Sequence, residues 1–319
     1  MQYTRKDLGA YKLHFIKTTS YKTITVKIHL REKAIKDNIT KRSFLNRILF
    51  LSSKDYPSKR EITLKQQDLY AANITHGLRR LGNYFDTSIT LKVLNDKYTE
   101  EGNFKASLSF LSAILFRPKV KDCAFYKEEF DIVYERKKAN IESLSDDKAR
   151  YAAVRLMDEI DKDSPVSIRG AGYLEDLNSI TLENLYEYYE AMMRHDLVDI
   201  FVLGDVSVDE TEKMIKELFP FDTFKKENDD IQVDVTPNKK TNYVEEISDA
   251  KQSQLALALN LKDLTDYERK YPLTLYNIIL GGGDNSYLFK EVREKSSLAY
   301  YIGSVPNKCD DLILIRSGV

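Results

Sequence analysis

The side chains that could carry chemistry are few in this sequence, and they are widely spaced. The four histidines are His14, His29, His76 and His195. No two of them lie within one helical turn, whereas zinc sites need several nitrogen, sulfur or carboxylate ligands at short spacing. The two cysteines, Cys123 and Cys309, do not form a Cys-x-x-Cys pair. The histidines and cysteines therefore predict neither a metal centre nor a disulfide framework.

A run of three glycines, Gly281, Gly282 and Gly283, is a second candidate for chemistry. Neither Gly-x-Gly-x-x-Gly nor Gly-Lys-Ser/Thr accompanies it, so the run does not predict phosphate binding. The sequence also lacks the Gly-x-Ser-x-Gly elbow of serine hydrolases. The simplest structural interpretation is a loop in which glycine permits positive φ angles.

Hydrophobic periodicity indicates the elements that hold these residues. Apolar residues alternate over 21–30, as they do in a half-buried strand. From Thr40 they recur at helical spacing, and we expect Thr40 to cap a buried helix. A second amphipathic helix and a strand over 84–93 follow. The predicted order is strand, helix, helix, strand.

The opening pattern returns later in the chain. The leucines of 255–261 alternate as the first strand does, shifted by 231 positions from Ile24, and Ile279 keeps the same shift from Ile48. Two elements in one register favour an internal repeat. We predict a first domain at 1–220, a charged linker at 221–242 and a second domain at 243–319. Because the second copy lacks a counterpart of 92–220, we interpret the chain as a fragment that ends inside its second repeat.

Length and composition limit the classes of function. At 319 residues, the chain exceeds what one hydrophobic core normally supports, which favours two domains. Its 49 basic and 50 acidic residues nearly cancel, which argues against a dedicated nucleic-acid binder. No stretch resembles a signal peptide or a membrane span. With two isolated cysteines, a reducing, cytoplasmic location is the expectation.

Two long segments resemble the pitrilysin/insulinase metallopeptidases. One is 280–300, which reads LGGGDNSYLFKEVREKSSLAY, and the other is 172–189, which reads GYLEDLNSITLENLYEYY. The resemblance extends from about residue 11 to residue 319. It implies an α+β fold of the LuxS/processing-peptidase-like metalloprotease class. Such a fold has two homologous repeats with mostly antiparallel sheets and helices on one face, the second repeat being truncated here.

Active members of this family carry an inverted zinc motif, His-x-x-Glu-His, on the first helix of the first domain. At the matching positions this chain has Ser43, Asn46 and Arg47. Arginine brings a permanent positive charge where a ligand is needed, and asparagine cannot act as the base that takes a proton from water. The resemblance therefore implies a degenerate motif, with no metal and no catalytic residue in this chain.

The family takes a third zinc ligand, a glutamate, from a helix further along the chain. In this sequence the position most naturally falls at Asn140, with Glu135 and Glu142 as alternatives. A single carboxylate could not hold the ion alone. The charge run at 135–138 in the same helix is typical of a solvated helix face.

In the family, an arginine and a tyrosine of the second domain reach across to hold the peptide near the zinc. Arg293 and Tyr300 match them, and they follow the matching glycine-rich loop, Gly281 to Gly283. A guanidinium and a phenol can hold a peptide carbonyl and stabilise its developing negative charge. The structural alternative is that the two residues pair with a neighbouring carboxylate or cover the edge of a core.

The leading hypothesis is a zinc-less subunit of a heterodimeric peptidase. Its expected partners are a homologous active subunit, which carries the zinc, and an extended peptide. The alternative is an interaction or scaffold protein that uses the former cleft for docking, without proteolysis. A third interpretation is an active peptidase with a rebuilt metal site.

Overall fold

The computed structural model describes residues 1–221, 232–233, 235, 241–261 and 264–319. Most of the linker predicted at 221–242 lies outside the described residues, and the domain boundaries stay predictions. The described strands are β1 (Gln2–Asp7), β2 (Lys12–Lys17), β3 (Thr23–Lys33), β4 (Asn73–Leu81), β5 (Tyr84–Leu94), β6 (Val120–Lys121), β7 (Ala124–Phe125), β8 (Leu197–Gly204), β9 (Gln254–Asn260), β10 (Tyr301–Asn307) and β11 (Leu312–Gly318).

The described helices are α1 (Lys36–Ile48), α2 (Lys59–Asp68), α3 (Asn103–Phe116), α4 (Lys127–Glu142), α5 (Lys148–Ile160), α6 (Leu174–Leu177), α7 (Leu182–His195), α8 (Val208–Leu218), α9 (Asp266–Lys270), α10 (Pro272–Gly281) and α11 (Phe289–Lys295). The last of these is wound as a π-helix. Within the described ranges, none of the helices combines the length and the apolar character needed to cross a membrane.

A six-stranded sheet forms the centre of the first half of the chain. Its order is β1-β2-β8-β3-β5-β4, and every pair is antiparallel except β2 with β8. The alternating apolar residues of β3, from Ile24 to Leu30, are at most 2% exposed and belong to the main core. Helices α1, α3 and α7 contribute to the same core, which confirms the predicted half-buried strand and the α+β class.

The second half repeats this topology on a smaller scale. Its three-stranded sheet has the order β10-β11-β9 and is antiparallel throughout. Strand β9 takes the place of β3, β11 that of β5, and β10 that of β4, with helices between the first and second strands of each set. The predicted fold of two homologous repeats with mostly antiparallel sheets is confirmed.

The leucines of the second repeat are less buried than their pattern suggests. Leu255, Leu257 and Leu259 are each 42% to 43% exposed, although they alternate as the buried residues of β3 do. Strand β9 is an edge strand, whereas β3 lies inside its sheet. Helix α10 packs against β10, at the opposite edge, and α5 packs against β9, but the leucine side chains of β9 stay exposed among the described residues.

The two halves meet through α5 and through one buried ion pair. Met157 of α5 packs in a small cluster with Leu312 and Leu314 of β11. At the end of β4, Arg80 forms a two-point ion pair with Asp310, one branch of which measures 2.7 Å between Nη1 and Oδ1. The Asp310 side chain is 1% exposed, so this bidentate contact is shielded from water.

Helix α1 begins earlier than its sequence indicates. It starts at Lys36, so Thr40 is an interior residue and the predicted Thr40 cap is wrong. The Thr40 hydroxyl instead accepts a hydrogen bond from the Tyr173 backbone N–H (3.1 Å) and donates one to the Asp176 carboxylate (2.9 Å). Thr40 thereby holds the segment before α6 against α1.

A buried arginine fixes α1 to the six-stranded sheet. Arg42 is 1% exposed, and its guanidinium donates to the Thr87 hydroxyl (3.0 Å), the Leu30 carbonyl (2.7 Å) and the Asp196 carboxylate (2.6 Å). An ion pair with Glu32 (3.2 Å) completes the network. Desolvation opposes the charge, but the neighbouring acidic groups outweigh it, and the pKa of Arg42 is raised. The guanidinium is therefore charged and compensated inside the fold.

Replacing Arg42 tests this anchor. We expect Arg42→Met to lower the free energy of unfolding by about 3–5 kcal/mol, because Asp196 and Glu32 lose a buried cation. Lys41→Met, one position earlier and only half-buried, should change it by less than about 0.5 kcal/mol. Chemical denaturation followed by circular dichroism measures both values. A loss below about 1 kcal/mol for Arg42→Met would contradict the proposed anchoring role.

Candidate functional site

Helix α1 presents the three positions of the degenerate motif at the surface of the core. Phe44 and Ile48, which are at most 2% exposed, hold the helix on the core. Ser43 is buried at 7% exposure, Asn46 is half-buried and Arg47 is exposed. The apolar frame of the helix thus places the motif at a boundary between core and solvent.

Ser43 is in contact with a buried lysine. Lys137 of α4 is 4% exposed, and its ammonium donates to the Ser43 hydroxyl and to the backbone carbonyl of Ala171 (2.8 Å). The Ser43 hydroxyl donates to the same carbonyl (3.2 Å). One nitrogen atom therefore joins α1, α4 and the loop before α6.

The ammonium of Lys137 is held by neutral oxygens. Its pKa is lowered from the ordinary 10.5 to about 8, chiefly because burial disfavours the charged form and secondarily because Arg47 repels it. In the part of the chain that the structure describes, no carboxylate is hydrogen-bonded to this nitrogen. The charge at the motif is therefore positive and uncompensated.

Lys137 was missed in the sequence because it belongs to a charge run. The run at 135–138 predicts a solvated face, which is right for Glu135 and Arg136 and wrong for Lys137. Helix α4 packs on α1 through Phe130 and Phe44, whose ring centroids are 4.7 Å apart. Phe130, Val133 and Lys137 share one helical face, and that spacing was the available signal.

Asn140, the predicted counterpart of the third ligand, lies about one turn beyond Lys137. It is half-buried, and its backbone carbonyl accepts a hydrogen bond from the Ser143 hydroxyl (3.5 Å). The alternatives, Glu135 and Glu142, are exposed. Among the described side chains of α4, the one that contacts Ser43 is Lys137.

Asn46 faces the edge strand of the sheet. Its side-chain oxygen lies 3.3 Å from Nδ1 of His76 on β4, and the His76 ring stacks on Phe50 with the centroids 4.0 Å apart. The pKa of His76 is lowered by desolvation and then by the positive charges of Lys59 and Arg47. A neutral imidazole therefore lies beside Asn46.

These side chains do not fit a zinc ion. The Ser43 hydroxyl is bound by an ammonium, and Arg47 adds a second cation, whereas zinc sites use thiolates, neutral imidazoles and carboxylates. The described residues contain no cluster of three His, Cys, Asp or Glu side chains that could hold a metal. We therefore derive no metal-dependent step from this helix.

Arg293 and Tyr300 lie on the second repeat, beside the three-stranded sheet. Arg293, on α11, is exposed, and its guanidinium stacks over the Phe289 ring at 4.7 Å. Tyr300 is 76% exposed, but its backbone N–H donates to the Gly318 carbonyl (2.8 Å) and the preceding Ala299 is buried. Both side chains thus face solvent, and the backbone that carries Tyr300 is held by β11.

Two of the three glycines, Gly281 and Gly282, serve close packing, and none of the three has a positive φ angle. A Cβ atom on Gly281 would lie 2.5 Å from the Ser304 hydroxyl and 2.7 Å from its backbone nitrogen. One on Gly282 would lie 2.8 Å from the Cα atom of Ile278, whereas one on Gly283 would meet open space. The interpretation as a loop of positive φ angles is therefore wrong for this run.

Comparison with known proteins supports the resemblance. A sequence profile described as "Peptidase M16 inactive domain" matches residues 179–314. The chain is 28% identical over 317 residues to the "Probable inactive metalloprotease YmfF" of Bacillus subtilis (strain 168). The alignment covers 98% of this chain and 73% of that protein. This chain belongs to the peptidase M16 family. It is a homologue of M16 proteins described as inactive.

Solved structures show the same M16 fold. A conserved protein from Enterococcus faecalis V583 superposes with a TM-score of 0.90 at 30% identity, over 99% of this chain and 75% of that one. An M16 inactive domain from Pseudomonas fluorescens gives a TM-score of 0.81 at 18% identity, over 100% and 74%. A further relative, found by sequence alone, is an "Uncharacterized zinc protease" of Rickettsia felis. It is 24% identical over 201 residues, which is 60% of this chain and 46% of that protein.

The lowered pKa of Lys137 predicts a pH-dependent stability. The unfolded chain keeps this proton up to the ordinary pKa of 10.5, whereas the folded chain releases it near 8. The unfolded state therefore binds more protons in this window, and folding gains stability as the pH rises through it. We expect wild type to gain about 2 kcal/mol over Lys137→Met between about pH 7.5 and 10.

Denaturation at both pH values measures this difference, and the half-buried neighbour Lys138 supplies the control. Lys138→Met should follow wild type at both pH values. A stability difference between wild type and Lys137→Met that does not change with pH would contradict the burial of an uncompensated ammonium.

The glycine contacts predict unequal tolerance to alanine. Gly281→Ala should lower the free energy of unfolding by roughly 1–3 kcal/mol, because its methyl group would meet Ser304. Gly283→Ala should change it by less than about 0.5 kcal/mol, since the space there is open. Thermal denaturation of the two variants checks this order, and equal melting temperatures would show that the close approach is not rigid.

Proposed function

We propose that this M16 homologue is the non-catalytic subunit of a heterodimeric zinc peptidase. In this proposal it binds an extended peptide and lends Arg293 and Tyr300 to the active site of a homologous partner. The zinc belongs to that partner. The observation that carries the proposal is that both side chains are exposed, Arg293 from helix α11 and Tyr300 from a backbone that is hydrogen-bonded to strand β11.

The surroundings of Arg293 and Tyr300 favour a binding role over a structural one. Within the described residues, neither side chain makes an ion pair or a side-chain hydrogen bond, and the contact of Arg293 is with the face of Phe289. Five guanidinium N–H groups and one phenol therefore stay available for an acceptor such as a peptide carbonyl. The π-helical winding of α11 also supports the proposal, because such windings are often found at functional sites.

The edge of the first sheet supports binding of an extended peptide. Strand β4 is the last strand of its sheet, and in the described structure its backbone pairs with β5 alone. An edge strand offers unpaired N–H and C=O groups to which an extended segment can add. His76 and Asn46 lie at this edge, so a peptide added there would pass the degenerate motif.

The alternative is a scaffold protein in which the former cleft binds a partner without proteolysis. It is favoured by the replacement of every motif position on α1 by a residue unsuited to zinc. The two functions differ in the partner, which would be an M16 protein with an intact His-x-x-Glu-His motif in the first case and an unrelated protein in the second.

Reconstitution tests the proposal. The tagged chain is used to isolate its partner, and peptidase activity is measured for each protein alone and for the mixture. Activity should require both proteins. Arg293→Ala and Tyr300→Phe should each lower kcat of the mixture by roughly 100-fold, because a donor to the developing oxyanion is lost.

Matched controls are Arg60→Ala and Tyr21→Phe, which change exposed residues of the same types on other elements. Both should retain full activity, and all four variants should still bind the partner. Unchanged turnover in Arg293→Ala and Tyr300→Phe would contradict a shared site. A partner that lacks the zinc motif, with no activity in the mixture, would favour the scaffold function.

A further inference from the structure

Three segments of the first repeat converge on the ammonium of Lys137. It contacts Ser43 of α1 directly, reaches the Ala171 carbonyl of the loop before α6 (2.8 Å), and is itself carried by α4. Helix α1 carries the degenerate zinc motif, and α4 is the helix on which a third ligand is expected. The cation lies between the two elements that a metal would join.

The loop that supplies Ala171 is pressed closely onto α1. Gly172 has a φ angle of +83°, and a Cβ atom there would lie 2.8 Å from the Cα atom of Thr40. The next residue, Tyr173, donates its backbone N–H to the Thr40 hydroxyl (3.1 Å). The loop therefore follows α1 from Thr40 to Ser43, and Lys137 binds it at the end nearer the motif.

We propose that the Lys137 ammonium takes the place of the metal ion, joining α1, α4 and the loop before α6 and excluding a divalent cation from the site. Lys137, rather than Asn140, is then the residue at the third-ligand position. This inference goes beyond the proposed function and does not depend on it, since it concerns the chain by itself.

Charge supports this assignment. A metal ion at Ser43 would lie beside the ammonium of Lys137 and near the guanidinium of Arg47, which is close enough to lower the pKa of Lys137. Like charges at such a range repel strongly where water is excluded. The two neutral oxygens at this site, the Ser43 hydroxyl and the Ala171 carbonyl, already accept hydrogen bonds from Lys137 and are not free to bind a metal ion. Restoring the two histidines alone would therefore leave a cation inside the site.

Rebuilding the metal site tests the assignment. The variant Ser43→His/Arg47→His/Lys137→Glu replaces the internal cation by a carboxylate. The matched variant Ser43→His/Arg47→His/Asn140→Glu introduces the same carboxylate one turn away and retains Lys137. Zinc binding to both metal-free proteins is measured by titration calorimetry and by competition with a chromophoric chelator, after circular dichroism has confirmed folding.

The first variant should bind about one zinc ion per chain, at least roughly tenfold more tightly than the second. Equal affinities, tighter binding by the Asn140→Glu variant, or no binding by a folded Lys137→Glu variant would overturn the assignment. The readout is metal stoichiometry and affinity, so it does not depend on peptidase activity or on a partner. Failure of the heterodimer proposal would leave this result unaffected.

A second measurement applies if the triple variants do not fold. Ser43→Asp gives Lys137 a carboxylate, so this substitution should be tolerated in the wild-type chain and should strongly lower the Tm in the Lys137→Met background. Lys138→Met provides the matched background, in which Ser43→Asp should behave as it does in wild type. Equal losses of Tm in all three backgrounds would show that no cation stands at Ser43 and would overturn the proposal.

Discussion

The buried guanidinium of Arg42 fixes the position of α1, and the degenerate motif depends on that position. A charge can be held inside a protein when opposite charges and oriented acceptors surround it. Arg42 meets this condition with contacts to β3, β5 and the end of α7. Ser43 is the next residue along the helix. The network under α1 therefore sets which side chains of α1 can face α4 and the edge strand.

Lys137 shows the opposite solution to the same problem. Arg42 and Lys137 are both almost fully buried, yet the pKa of the first is raised and that of the second is lowered. The difference lies in the acceptors, since carboxylates surround Arg42 whereas Lys137 has a hydroxyl and a carbonyl. A lysine can shift its pKa, so it tolerates such a site where an arginine could not.

The sequence predicted what depends on local pattern and left out what depends on how helices meet. Alternation identified β3, and the long segment at 280–300 identified the family, because both signals are contained in neighbouring residues. The burial of Lys137 required the α1 and α4 contact, which no local pattern contains. The predicted Thr40 cap failed because α1 begins earlier, at Lys36, and the Thr40 hydroxyl instead contacts Tyr173, more than a hundred residues away.

The second repeat shows why a repeated pattern fixes topology but not environment. Strand β9 reproduces the alternation of β3, yet its leucines are exposed because it lies at a sheet edge. Asn277 stands 231 positions after Asn46, and it is buried, accepting a hydrogen bond from the Ser304 hydroxyl (2.8 Å). Ser304 also contacts the position of Gly281, so α10 is joined to β10 at two points. The equivalent of Asn46 therefore serves packing in this repeat, whereas Arg293 and Tyr300, further along the chain, are exposed to solvent.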